Sequence, residues 1–278
     1  MGFRINTNVA SIDAQRSLKA TSNDQVNEFS KLSSGKRITK ASDDAAGLAI
    51  SKNLEAQNRG IKQASRNASD GVSMVQVAEG GLNETSNILT RLRELSIQSA
   101  SDTLGNDERT FLQQEFSQLT QEMDRIANST QFNGFHMLKG ENERGELEIH
   151  VGAFGGEENK IKWDSSVTNA TVSGLDIDSL ALDTKESAVG SLDVIDKAIN
   201  KVSAYRSTLG SVQSRLTSSI NNLETQYLNQ EAARSRIEDV DIAEASAKVA
   251  SINVRQASGI AVLAQANGLS NGALRLLG

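Results

Sequence analysis

Few residues of this 278-residue chain have the types and spacing that chemistry requires. Its two histidines, His136 and His150, have no HxxxH or HExxH partner. A metal site needs clustered ligands at fixed spacing, so both read as exposed or edge-strand side chains. Cysteine is absent, which removes disulfides and thiolate metal sites. Gly152-Ala153-Phe154-Gly155-Gly156 is glycine-rich, but Glu157-Glu158 follows and would repel a phosphate, so a hairpin turn is the better reading. No GxxxxGK[ST] or GxGxxG motif occurs, and no strand-to-helix nucleophile elbow is read in the sequence. The acidic pairs Asp43-Asp44, Glu157-Glu158 and Glu238-Asp239 are neighbours in sequence, whereas general acid–base catalysis needs carboxylates that converge in a pocket. The basic pair Lys36-Arg37 reads as part of a solvated hinge. NxS/T triplets begin at Asn67, Asn83, Asn128 and Asn169, as expected in a chain rich in Asn, Ser and Thr. The residues therefore predict no catalytic, cofactor-binding or metal site, and an enzyme is a poor reading.

The composition points to slender helices. Hydrophobic residues make up 37% of the chain but aromatics only 4%, a thin supply of large core residues for a globular enzyme. There is no proline to kink a helix. The net charge of −6 argues against nonspecific nucleic-acid binding, which needs clustered Lys and Arg. No cleavable apolar signal and no stretch long enough to insert in a membrane is visible. If the protein is exported, its route does not use a cleaved apolar signal.

Periodicity fills in the elements. Ile5, Val9 and Ile12, then Val26, Phe29 and Leu32, recur at helical spacing near the N-terminus, as do Val249, Ile252, Gln256, Ile260 and Leu263 near the C-terminus. Neither stripe is broad enough for a lone helix in water, so both ends are expected to order only against partners. Ser42 is a candidate N-cap, with Asp43 and Asp44 placing charge in the first turn. Leu54, Ile61, Ala68, Val75, Leu82 and Leu89 then recur every seventh residue, a coiled-coil-like seam. A helix from Asp44 to about Ala100 would be about 85 Å long at 1.5 Å per residue. A second helix starting near Asp107 should fold back on it, and a third should run from about Glu186 to Ile237. Leu147, Ile149 and Val151 alternate with polar residues, and Ile161 and Trp163 do so after the glycine-rich loop, which predicts a β-hairpin. The expected fold is mainly α: an elongated antiparallel helical bundle with a small β-hairpin region, plus terminal helices that pair as a coiled-coil-like layer on assembly. Its expected divisions are 1–42, an N-terminal helix and hinge; 43–140, the first bundle helices; 141–185, the hairpin and loops; 186–237, the last bundle helix; and 238–278, the C-terminal helix. Ser33, Ser34, Gly35 and Ser42 would be the hinge.

The residues also carry a family resemblance. INTNVASIDAQRSL at 5–18, LSSGKRITKASDDAAGLAIS at 32–51 and QASRNASDGVSMVQVAEGGLNETSNILTRLRELSIQSAS at 63–101 resemble bacterial flagellin. So do TQFNG at 130–134, AARSRIEDVDIAEA at 232–245 and AVLAQAN at 261–267. The resemblance covers residues 1 to about 140 and about 186 to 278, without room for large outer domains between. It implies a structural subunit that self-polymerises into the extracellular flagellar filament and is exported unfolded through the flagellar type III apparatus. The implied partners are other flagellin subunits, an export chaperone on the C-terminal segment, hook-associated junction and cap proteins, and a host flagellin receptor. No cofactor is implied.

Site residues follow from the same resemblance. Arg91 and Leu95 in TRLRELSI, with Glu115, match a surface used in subunit assembly and read by the flagellin-sensing Toll-like receptor. Leu274, Leu276 and Leu277 match a terminal cluster that packs in the inner layer and is read by cytosolic sensors. SINVRQASGI at 251–260 departs from the family's Gln-rich pattern. The alternatives are a hook–filament junction protein, which shares the terminal layer and the hinge motif, and a secreted coiled-coil adhesin. TQFNG together with RSRIEDVD favours flagellin over the first, and the short middle segment argues against the second.

Overall fold

The computed structural model describes residues 7–140 and 146–275, with side chains of the last helix described as far as Gly268. Helices α1 (Val9–Ser34), α2 (Ala45–Ser99), α3 (Asn106–Ser129), α4 (Lys185–Glu238) and α5 (Ile242–Arg275) account for most of the chain. Two antiparallel pairs accompany them: β1 (Gln131–Phe132) with β2 (Phe135–His136), and β3 (Glu146–His150) with β4 (Lys160–Asp164). The chain forms two compact units, residues 57–228 and residues 1–56 with 229–278.

The 57–228 unit is a helical bundle built on a seam in α2. Ile61, Ala68, Val75, Leu82, Leu89 and Ser96 are buried at one position of a seven-residue repeat, and Ala64, Gly71, Ala78, Thr85, Leu92 and Ser99 at another. Helix α4 runs antiparallel to α2, since Arg93 pairs with Asp196 and the Ser191 hydroxyl donates to Ser96 Oγ at 3.0 Å. Small seam residues allow close approach. A β-carbon on Gly71 would lie 2.7 Å from Ile149 Cδ1 and 3.3 Å from Leu216 Cδ1, so the hairpin and α4 both press onto this turn of α2. Helix α3 contributes buried Phe116, Met123 and Ala127.

The connections are held by identifiable devices. Arg109 is buried and staples the α2–α3 turn: its Nε donates to Ser99 O at 3.0 Å and its Nη2 to Ser101 O at 3.0 Å. A cation at the end of α2 also suits the helix dipole. Asn133 and Gly134 both have positive φ, the conformation a two-residue hairpin turn needs. In the larger hairpin Leu147 faces Trp163 and Ile149 faces Ile161, as the alternation predicts. Thr184 and Ser187 cap α4 reciprocally, each side chain accepting the other's backbone N–H at 3.2 Å.

One start signal is corrected. Ser42 lies in a turn, and α2 begins at Ala45. The cap is Asp44, whose Oδ1 accepts Gly47 N–H at 2.8 Å. Asp43 is not in the first helical turn either; its carboxylate accepts the N–H groups of Thr39 and Lys40, both at 3.0 Å, and these bonds hold it below the usual carboxylate range.

Leu89 is fully buried in the seam, so Leu89→Ala should cost about 2–5 kcal/mol. Trp163, the only tryptophan in the chain, is buried in the same core and reports unfolding by fluorescence. The expected result is a lower urea midpoint at an unchanged m-value.

Candidate functional site

The basic elbow is built into the structure rather than loose. Ser33 and Ser34 belong to the last turn of α1, and only Gly35 takes the left-handed conformation, with φ of 70°, that ends the helix. Lys36 then pairs with Asp239 in a β-bridge, Arg37 N–H donates to Glu238 O, and Val240 N–H donates to Gly35 O at 3.0 Å. At the centre lies Glu238, a buried carboxylate that accepts from Lys36 Nζ and Ser51 Oγ and pairs with Arg234 at 3.4 Å. Ile38, next after Arg37, is buried, its Cδ1 lying 2.8 Å from where a Gly47 β-carbon would stand. Burial by itself would raise the Glu238 carboxyl, but the hydrogen bonds from Lys36 and Ser51 hold it below its ordinary value.

The α1–α5 pair is antiparallel, with Asn8 Nδ2 donating to Ala266 O at 2.9 Å and Gln25 Nε2 to Asn253 Oδ1 at 2.8 Å. Its α1 seam differs from the apolar stripe that periodicity picks out. Ser11 is buried, and Ala14, Leu18, Thr21, Gln25, Glu28 and Leu32 are half-buried, in a heptad-like row that is mostly small or polar. Val9, Ile12, Val26 and Phe29 point outward, Val26 being 65% exposed. On α5, Val249 and Ile252 are buried and Gln256 and Leu263 half-buried, as expected, but the row passes through half-buried Gly259 rather than Ile260 and ends at buried Ala266. Leu18 Cδ1 lies 2.9 Å from where a Gly259 β-carbon would stand. Ile260 therefore faces out, together with Ile242, Val254 and Val262. Both helices of this unit thus carry apolar side chains that no described residue covers.

The carried-over surface on the bundle is partly assembled. Arg91 Nη2 donates to Glu115 Oε1 at 2.8 Å and Nη1 to Glu94 Oε2 at 3.0 Å, all three side chains being exposed. Leu95 does not join them: it is fully buried in the core, because α2 turns it toward the bundle beside the seam residue Ser96. Its role at this surface can only be support from beneath, and the exposed apolar residue nearby in sequence is Ile97. Leu276 and Leu277 lie outside the described residues, as does the side chain of Leu274.

The remaining candidates sit in structural roles. His136 and His150 are strand residues, and Asn67 Nδ2 donates to His150 O at 3.2 Å. The glycine-rich stretch connects β3 to β4. Asn169 Oδ1 accepts from Thr171 N–H and hydroxyl, and Asn128 donates back to Asp124 O. Among the described residues no three His, Asp or Glu side chains are placed to hold a metal ion, and no helix is long and apolar enough to cross a membrane. Sequence reasoning missed Arg109 and saw Glu238 only as one of an adjacent acidic pair; the prior signal for either was a charged residue inside an otherwise helical stretch.

The clamp has a testable pH dependence. A carboxyl whose folded pKa is lowered contributes stability that is present above its unfolded pKa and lost as pH falls through the folded value. Glu238→Gln should therefore destabilise the fold by about 1–3 kcal/mol at neutral pH. The difference from the parent should shrink as the pH drops below the ordinary carboxylate range, measured by thermal unfolding across pH.

Comparison with known proteins fits this geometry. Residues 5–143 match the bacterial flagellin N-terminal helical region, and residues 192–277 match the C-terminal helical region. A flagellar filament core protein of Brachyspira hyodysenteriae is 40% identical, over 98% of this chain and 99% of its own. A flagellin of Halalkalibacterium halodurans is also 40% identical, with the same coverage. The crystal structure of Bacillus cereus flagellin superposes with a TM-score of 0.50 at 29% identity, covering 61% of this chain and 94% of that one. A matched helix-forming region at each end, with relatives aligned over nearly their whole length, establishes that the chain belongs to the bacterial flagellin family.

Proposed function

We infer that this chain is a structural subunit of the bacterial flagellar filament, polymerising outside the cell in the service of swimming motility. The observation that carries the reading beyond family membership is the uncovered apolar surface of the α1–α5 pair. Val9, Ile12, Val26 and Phe29 on one helix, and Val254, Ile260 and Val262 on the other, gain free energy only when another surface removes them from water. Copies of the same chain supply that surface in a polymer. The chain's work is structural rather than catalytic.

Its other partners follow from the same reading. Export proceeds unfolded through the flagellar type III apparatus, and a chaperone covers the C-terminal helix until the subunit reaches the growing tip. Hook-associated junction and cap proteins bound the filament at its two ends. The exposed Arg91–Glu115 surface is an assembly contact and the feature a host flagellin receptor would read. The terminal leucines Leu274, Leu276 and Leu277 pack in the inner layer and form a second feature for cytosolic sensors.

Seeded polymerisation of the purified chain, viewed by negative-stain microscopy, should give long tubular filaments of uniform width. Removal of residues 1–40 and 240–278 should abolish them while circular dichroism still shows a folded helical bundle. Persistent monomers of the full chain in the presence of seeds would contradict the reading.

A further inference from the structure

The turn joining β1 to β2 carries a reactive dipeptide that neither the bundle core nor the filament reading uses. Asn133 and Gly134 are both exposed, and no described residue hydrogen-bonds the Asn133 side chain. Asn-Gly is the sequence in which an asparagine amide is lost most readily, because glycine has no side chain to shield its own backbone nitrogen. The reaction needs no partner. Gly134 N attacks Asn133 Cγ and forms an N–Cγ bond. The Cγ–Nδ2 bond breaks, and the amide nitrogen leaves with the Gly134 proton as ammonia. Water then opens the five-membered succinimide. Opening at Cγ gives aspartate; opening at the main-chain carbonyl gives isoaspartate, in which the chain runs through Cβ.

The fold opposes the first step. Ring closure needs Gly134 N on the same side of the Asn133 Cα–C bond as Cβ. The φ angles are 48° at Asn133 and 82° at Gly134, which mark a type I′ turn. Such a turn sets ψ of its first residue at about +30°, and this places the following nitrogen nearly opposite Cβ. The turn is not free to rotate alone. Phe132 pairs with Phe135, and Met137 N–H donates to Thr130 O at 3.0 Å. Both phenylalanines pack on the core, and Met137 and Leu138 are buried in it. A β-carbon on Gly81 of α2 would lie 2.6 Å from Leu138 Cδ1 and 2.7 Å from Thr130 Oγ1, so the helix presses on the base of the hairpin. Turning Asn133 into the reactive conformation therefore requires the hairpin to lift from α2.

We propose that Asn133 is a self-modification site gated by the fold. It deamidates through the succinimide while the chain is unfolded, and the reaction stops once the β1–β2 hairpin docks. Isoaspartate adds a backbone atom to a two-residue turn, so a modified chain no longer holds Phe132 opposite Phe135. The site thus records in chemical form how long a chain has stayed unfolded. This inference stands independently of the filament reading.

Trypsin releases Asn133 within residues 126–139, apart from the other Asn-Gly pairs at 267–268 and 271–272. The folded chain, the chain in urea and the isolated 126–139 peptide are held at one pH and temperature. Deamidation is then followed by mass spectrometry and isoaspartate by enzymatic methylation. The peptide and the unfolded chain should react at similar rates, and the folded chain at least about tenfold more slowly, the protection expected where reaction requires local unfolding. Asn133→Gln, which would need a six-membered ring, should leave position 133 unmodified in urea. A folded chain that reacts as fast as the peptide would overturn the gate. An unfolded chain that stays intact at Asn133, or reacts as fast after Asn133→Gln, would overturn the site.

Discussion

An apolar side chain on a helix is stabilising only where something covers it, and the α1–α5 pair leaves most of its described large apolar side chains exposed. The two helices meet through Ser11, Ala14, Leu18, Thr21, Gln25, Glu28 and Leu32 on one side, a row with little to bury. Val9, Ile12, Val26 and Phe29 are turned away from that seam. Intrachain pairing therefore uses the less apolar face of α1 and leaves the more apolar one exposed. A helix pair of this kind is marginal by itself, because most helical stability in water comes from packing of the apolar face. The two compact units differ for this reason: one buries its apolar seam in its own core, the other leaves much of its apolar surface exposed.

The clamp at Glu238 shows how the chain manages the entry to α2. Gly35 ends α1, and Lys36 and Ser51 converge on a buried carboxylate at the end of α4. A buried carboxylate is tolerated here because a cation and a hydroxyl satisfy it, with Arg234 close by. Removing one partner leaves the others unsatisfied, which makes the elbow a cooperative element rather than a slack tether. Backbone bonds from Arg37 to Glu238 and from Val240 to Gly35 reinforce it.

Much of this was legible in the residues. Of the heptad row, Ile61, Ala68, Val75, Leu82 and Leu89 are buried as their spacing implied and Leu54 is half-buried, and the hairpin register of Leu147 with Trp163 follows from alternation. Strong periodicity is local information, and local information survives in a sequence. What failed was decided by distance or by competition. Ser42 and Asp44 are both good caps, and the choice fell to Asp44, where the side chain meets Gly47 N–H. The Glu238 clamp joins residues about two hundred positions apart, which no window reveals. The burial of Leu95 and the outward turn of Val26 depend on which of two adjacent faces finds a partner, and periodicity names the faces without choosing. The stretch after β4, where Ala170, Leu175, Ile177 and Leu182 are buried, has no period at all and is shaped by the bundle it packs on.

The central claim is that α1 and α5 are completed only by other copies of the chain, and hydrogen–deuterium exchange tests it most directly. In the monomer, amides of 9–34 and 242–268 should exchange far faster than those of 61–99 and 188–223, and polymerisation should slow the first set strongly while changing the second little. Equal protection of the two sets in the monomer would contradict the account, since it would mean that the α1–α5 pair is stable without a neighbour.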